Sequence, residues 1–313
     1  MVYSMLISTL SLQELIAEAV RDEFPKWESM CLLRAVGAPT LEAMLIAPMH
    51  TSEDDELIKS RLSLFSQVID SEKVMLRAAP RRETSNIRGG NTYSYDEAEN
   101  MIRNSHRERR AVIVLEPTDR LCNRLNIGIA VEPNGNWQAE ILGAGFDASD
   151  LMRGTTLPEF ICRGLALERD NISRLREHDG EIIKIECNME ERIARRLESV
   201  VHYILPTVGI DLRNEEAASS MAANWMHDRG YNHLFRSQMR EFPHRYFEDA
   251  FEVAQLVYNL LWKQRRETSF VIASSVLAES RIVYWDVTDG RRKWGESGRV
   301  ALRRNEGNDD IQK

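Results

Sequence analysis

A chain of 313 residues, 43% hydrophobic and 29% charged, has the length and apolar content for a sizeable core. That balance excludes a disordered chain, a collagen-like one and a disulfide scaffold, and no window approaches the ~18 uninterrupted apolar residues of a membrane span. A net charge of -8 argues against a protein that coats nucleic acid, so neither nucleic acid nor membrane is an expected partner.

Seven Lys stand against 34 Arg. Arg suits phosphates and carboxylates, but a GC-rich coding habit produces the same excess. Met1–Leu10 is apolar yet has neither a basic region nor a small-residue cleavage site, so a cytoplasmic protein is expected. Cys31, Cys122, Cys162 and Cys187 form no CxxC pair, and no His stands at zinc-ligand spacing from them. Four reduced structural thiols are expected.

In chain order, Ser11 and Glu14 form a capping-box pattern that predicts a helix over Ser11–Glu23. Short strands are expected at Ser29–Arg34 and Ala43–Pro48, separated by the breaker Gly37-Ala38-Pro39. Leu57, Ile58, Leu62, Phe65 and Val68 recur at helical spacing across Asp54–Ile69. Val74–Arg77 reads as a strand and Tyr95–His106 as a helix capped by Ser94 or Asp96. Ala111–Glu116 is a nearly continuous apolar run that suits a strand covered on both faces. Leu125–Glu132 and Asn136–Leu142 flank the turn Pro133-Asn134-Gly135, which predicts a hairpin in one sheet with Val112–Glu116. Further on, Glu181–Cys187 reads as a strand and Glu190–Leu205, Asn214–Arg229 and Phe247–Arg265 as helices. Ser269–Ser275 and Arg281–Val287 form a closing pair of strands.

These elements predict an α+β fold of two lobes with mixed or antiparallel sheets. The expected division is an N-terminal lobe over 1–110 and a C-terminal lobe over 111–295 with a helical segment at 190–265. A charged, disordered tail over 296–313 completes it.

Three segments carry residues suited to chemistry. Arg77, Arg81, Arg82 and Arg88 surround a polar loop that ends in Gly89-Gly90 and runs into a helix start. Backbone amides at such a turn, the helix terminus and the guanidinium forks all suit phosphate, while a solvated surface turn is the plainer reading. The strand Val112–Leu115 ends in Glu116 and Pro117, a place for a polar anchor or for a solvated strand end. Between Ala139 and Phe160, Gly143, Gly145 and Gly154 punctuate a loop that also holds Asp147 and Asp150. Amides and carboxylates brought together suit a phosphate or a Mg²⁺-bound phosphate. The basic run Arg103–Arg110 is either a solvated helix face or a contact for an acidic partner or RNA. The tryptophans Trp225, Trp262, Trp285 and Trp294 are expected to anchor a core or a lobe interface.

In this order, Val74–Arg77, Gly89–Thr92, Val112–Glu116 and Glu140–Glu159 resemble the ATP-binding, ATP-grasp-like domain of phosphoenolpyruvate synthases and pyruvate phosphate dikinases. Glu140, Gly143, Gly145, Gly154, Thr156, Pro158 and Glu159 match that family's Gly-rich acidic segment, and the resemblance covers about residues 71–159. It implies a nucleotide partner, ATP with Mg²⁺ as cofactors, and a ligase or phosphotransferase acting on an unidentified acceptor. Arg77, Arg88, Gly89, Gly90, Glu116, Gly143 and Gly145 would contact the nucleotide, in a cleft between two lobes. Glu186, Asn188 and Asp286 would supply the hard oxygen ligands that such domains place on late strands. The family's Gly-Gly-Lys loop has no counterpart before Arg34. That leaves a second reading open, a catalytically inactive regulatory or protein-interaction module that retains the fold, with a protein partner or an oligomer.

Overall fold

The computed structural model describes residues 4–21, 23–48, 54–79, 91–108, 110–118, 123–144, 158–164, 181–184, 215–228, 238–264, 270–277 and 279–289. The chain divides into two compact units, Met1–Asp119 and Arg120–Lys313. Each unit is built on one antiparallel sheet, which places the protein in the α+β class.

The first unit runs β1 (Ser4–Leu6), a 3-10 turn (Ile7–Thr9), α1 (Leu12–Ala19), α2 (Pro25–Ala35), β2 (Ala43–Ile46), α3 (Asp54–Ile69), β3 (Lys73–Ala79), β4 (Asn91–Ser94), α4 (Tyr95–Arg107) and β5 (Ala111–Leu115). Its sheet has the order β1-β2-β5-β3-β4. On one sheet face Met44, Ile46, Val74, Leu76, Val112 and Val114 pack against Ile58, Leu62 and Phe65 of α3 and Ala98 and Ile102 of α4. Ser11 caps α1 and Ser94 caps α4, and in both the third helical residue, Glu14 or Glu97, reaches back to the cap.

Two expectations are corrected here. Ser29–Arg34 is not a strand but the body of α2. Trp27 through Leu33 are all buried, so core contacts surround the helix and erase the one-sided periodicity that marks a surface helix. Pro25, at the first turn, is the helix-start signal that the apolar run obscured. Ala111–Leu115 is a fully buried strand, as expected, but it pairs with β2 and β3 and not with the later hairpin. An apolar run buried on both faces shows that it has neighbours without showing which.

The second unit contains β6 (Leu125–Val131), β7 (Trp137–Gly143), β8 (Phe160–Gly164), β9 (Glu181–Lys184), α5 (Glu215–Asp228), α6 (His244–Gln264), β10 (Phe270–Val276) and β11 (Ile282–Asp289). Its sheet has the order β11-β10-β6-β7-β8-β9. β6 and β7 form the expected hairpin, with Gly135 at φ +85° in the turn. β10 and β11 form the expected closing pair. One sheet face packs on α6. Trp137 stacks edge-on against Phe251 with centroids 4.8 Å apart and lies 5.8 Å from Phe247. Tyr284 donates its hydroxyl to the Asp249 carbonyl at 3.0 Å. The expected helix Glu190–Leu205 and the tail 296–313 lie outside the described residues.

Candidate functional site

Directly opposed residues of neighbouring strands share a sheet face, so the register of the second sheet assigns its surface row by row. β7 turns Trp137 and Ala139 toward α6 and Gln138 and Glu140 the other way. On that opposite face one row runs Ile161, Glu140, Gly128, Ala273, Asp286 from β8 to β11. The next row runs Arg163, Gln138, Ala130, Val271, Thr288. In the first, a Gly and an Ala separate two carboxylates. This face is polar where the α6 face is apolar.

Hydrogen bonds hold the polar side chains in place. Arg163 donates Nε–H to Gln138 Oε1 at 3.0 Å, and Gln138 donates Nε2–H to Glu140 Oε1 at 2.9 Å. Gln138 and Glu140 are only 7% and 8% exposed, so neither can exchange these partners freely with water. A second network lies two residues away along β6. Asn126 Oδ1 accepts from Asn123 Nδ2 at 3.2 Å and from Ser275 Oγ at 2.6 Å. Ser275 Oγ in turn accepts from Trp285 Nε1 at 2.7 Å. The register of β10 and β11 shifts between Ala273 and Ser274, and the resulting bulge brings Trp285 to this face beside Asp286. Asn123 Oδ1 is buried and meets no donor among the described residues. An acceptor left so costs about 1–3 kcal/mol unless a ligand or a water satisfies it.

The same rows test whether these residues suit a metal. Glu140 and Asp286 are separated by three strand spacings, about 14 Å between backbones, so they do not reach one cation together. Among the described residues no three acidic, His or Cys side chains converge on one point. Asp286, half-buried at one end of its row, has the hard oxygen chemistry that Mg²⁺ prefers. The other two expected metal ligands, Glu186 and Asn188, lie outside the described residues, as do Arg88, Gly89, Gly90 and Gly145.

The remaining expected site residues fall in different places. Arg77, half-buried on β3, stands opposite Ile113, three residues before Glu116, so Arg77 and Glu116 are not cross-strand neighbours. Glu116 follows β5 and is tied to Glu42. Its N–H donates to the Glu42 carbonyl at 2.9 Å, and its Oε2 accepts from the Glu42 N–H at 3.3 Å. Gly143 ends β7 and donates its N–H to Glu159 Oε1 at 2.9 Å. Glu159, fully buried, also accepts from the Met239 N–H at 2.6 Å. The carboxylate therefore joins the end of β7 to the segment that leads into α6. Gln138, Arg163, Asn123, Asn126 and Ser275 were not legible as site residues. The available signal was the alternation of Gln138 and Glu140 within an otherwise apolar strand.

Two cysteines are described, both buried and free. Burial pushes the Cys162 thiol up to about 12 and the Cys31 thiol higher still. Both are inert packing groups at neutral pH. No described helix is long and apolar enough to cross a membrane.

No family model and no curated protein matches this sequence. Several solved structures are similar to it. D-alanyl-alanine synthetase A from Vibrio cholerae is 9% identical, with 91% of this chain and 61% of that one covered at a TM-score of 0.42. D-cycloserine synthetase DcsG is 11% identical, covering 92% of this chain and 71% of that one at 0.41. A RiPP-associated ATP-grasp ligase from Chryseobacterium gregarium, in complex with ADP and a leader and core peptide, is 9% identical, covering 87% and 55% at 0.36. The chain thus spans 61% of the length of the first of these. Similarity at this level carries no argument about activity, and the α+β class rests on the strands and helices themselves.

Proposed function

We propose that this chain is an ATP-grasp-type nucleotide-binding protein that uses ATP with Mg²⁺, a ligase or phosphotransferase acting on an acceptor yet to be identified. The observation that carries this reading is the polar face of the second sheet. It sets the Arg163–Gln138–Glu140 chain and Asp286 around the small residues Gly128, Ala130 and Ala273, while α6 closes the other face. Cation, carboxylates and small side chains on one sheet face suit a magnesium-bound polyphosphate. The sequence resemblance over about residues 71–159 points the same way. On this reading Arg77, Arg88, the Gly89-Gly90 backbone, Glu116, Gly143 and Gly145 contact the nucleotide, and Asp286, Glu186 and Asn188 hold the metal.

A specific observation also favours binding without turnover. The family's Gly-Gly-Lys loop has no counterpart before Arg34. A thermal-shift series with ATP, ADP and GTP, each with and without Mg²⁺, tests the shared claim. A ligand specific to the native state stabilises by about 2.7 kcal/mol at a hundredfold excess over Kd. A magnesium-dependent rise in Tm with ATP is expected. A flat response to all three nucleotides at millimolar concentration would remove both readings.

A further inference from the structure

Arg163 has one described role, and that role leaves most of its donors unused. Its Nε–H goes to Gln138, and among the described residues neither Nη meets a hydrogen-bond acceptor or a carboxylate. A guanidinium has five N–H donors in a planar fork, so four remain on the two Nη atoms. The residue is only partly exposed, and a half-buried cation without a counterion is costly. Gln138 stands between it and Glu140, so the two charges of the network are bridged by an amide and make no direct ion pair.

The surroundings hold this fork still. Nε is pinned by Gln138, which is itself pinned by Glu140. Gly164, the next residue on β8, lies so close to Trp137 that a Cβ there would stand 2.6 Å from the ring. That contact seats β8 tightly against β7. Along the row, Ala130 and Val271 are partly exposed, and Ala130 projects only a methyl group beside Gln138. The partly exposed stretch of the row next to the guanidinium is therefore apolar.

We propose that Arg163 is a preorganised anion-binding residue that receives a two-oxygen anion, a carboxylate or a phosphate, on its paired Nη groups above Ala130. The anion supplies the missing counterion, and the fork meets two oxygens at once. Gln138 is a positioning residue: it fixes the plane of the fork without touching the ligand. The assignment rests on the same polar face as the nucleotide reading and deepens it by naming the residue that takes the anion; binding of succinate without pyrophosphate would keep the assignment and count against the nucleotide.

Calorimetric titration of the full chain at low salt with inorganic pyrophosphate, and separately with succinate, tests it. At least one of the two should bind, and which one distinguishes a phosphate from a carboxylate site. Arg163→Ala should weaken that binding tenfold or more. Arg163→Lys should recover only part of it, because a point charge lacks the fork. Gln138→Leu should weaken it several-fold with the charge intact. In the wild-type protein, phenylglyoxal modification of Arg163, followed by peptide mapping, should be slowed by the anion that binds, a readout independent of whether the variants fold. Absence of binding by both anions would overturn the proposal, as would wild-type affinity in a folded Arg163→Ala or no protection of Arg163.

Discussion

Gly164 and Trp137 show how little freedom single positions have in the second unit. A methyl group at Gly164 would meet the indole at 2.6–2.7 Å, on a ring already held by Phe247 and Phe251. Overpacking of this kind costs about 1–3 kcal/mol. Gly164→Ala should lower the urea midpoint by a matching amount, and an unchanged midpoint would mean that the ring shifts without penalty. Cys31 and Cys162 should resist a thiol reagent at pH 8 until the protein unfolds, since burial keeps both in the thiol form. Peptide mapping after brief labelling decides this, and rapid native labelling of either would contradict their placement. At this scale the sequence was most legible where one residue does a local job. The capping pairs Ser11–Glu14 and Ser94–Glu97 are such cases. It was least legible for Arg163 and Gln138, whose importance comes from cross-strand register between segments 25 positions apart.

The secondary-structure elements were readable where local chemistry dictates them. The hairpin of β6 and β7 follows from Pro133-Asn134-Gly135, and Gly135 occupies a left-handed conformation that a side chain disfavours. Gly135→Val should destabilise by about 1 kcal/mol or more by denaturant unfolding. No loss would indicate that the turn relaxes to another type. The helix caps make a pH-dependent prediction. The backbone and side-chain hydrogen bonds of Ser94 hold Glu97 below the usual 4.5, and those of Ser11 do the same for Glu14. A carboxylate depressed in the folded state contributes stability above its unfolded value, and that contribution is lost as pH falls through the folded value. Stability should therefore fall below about pH 4.5, and the double variant Ser11→Ala/Ser94→Ala, which removes the hydroxyl donors and keeps the backbone ones, should flatten part of that acid arm. An identical acid arm in the variant would contradict the capping account. α2 was misread because total burial removes the amphipathic pattern on which periodicity depends, and only Pro25 remained to mark it as a helix.

At the level of the whole molecule, each unit combines one antiparallel sheet with helices, and the α+β class was legible from the alternation of short strands and amphipathic helices. Partner choice among strands was not, because β5 is apolar on both faces and carries no mark of its neighbours. The second unit's sheet shows the division that the functional proposal uses. One face is closed by aromatic packing on α6, and the other holds Arg163, Gln138, Glu140, Asn126, Ser275 and Asp286 in register. The central claim is that this chain binds ATP with Mg²⁺. Calorimetric titration of the wild-type protein with ATP, in the presence of Mg²⁺ and again with the metal chelated, measures it directly. The account predicts a saturable one-to-one isotherm with Mg²⁺ that weakens at least tenfold on chelation and likewise in Asp286→Asn. Absence of heat at millimolar ATP with Mg²⁺, together with an unchanged Tm, would contradict it.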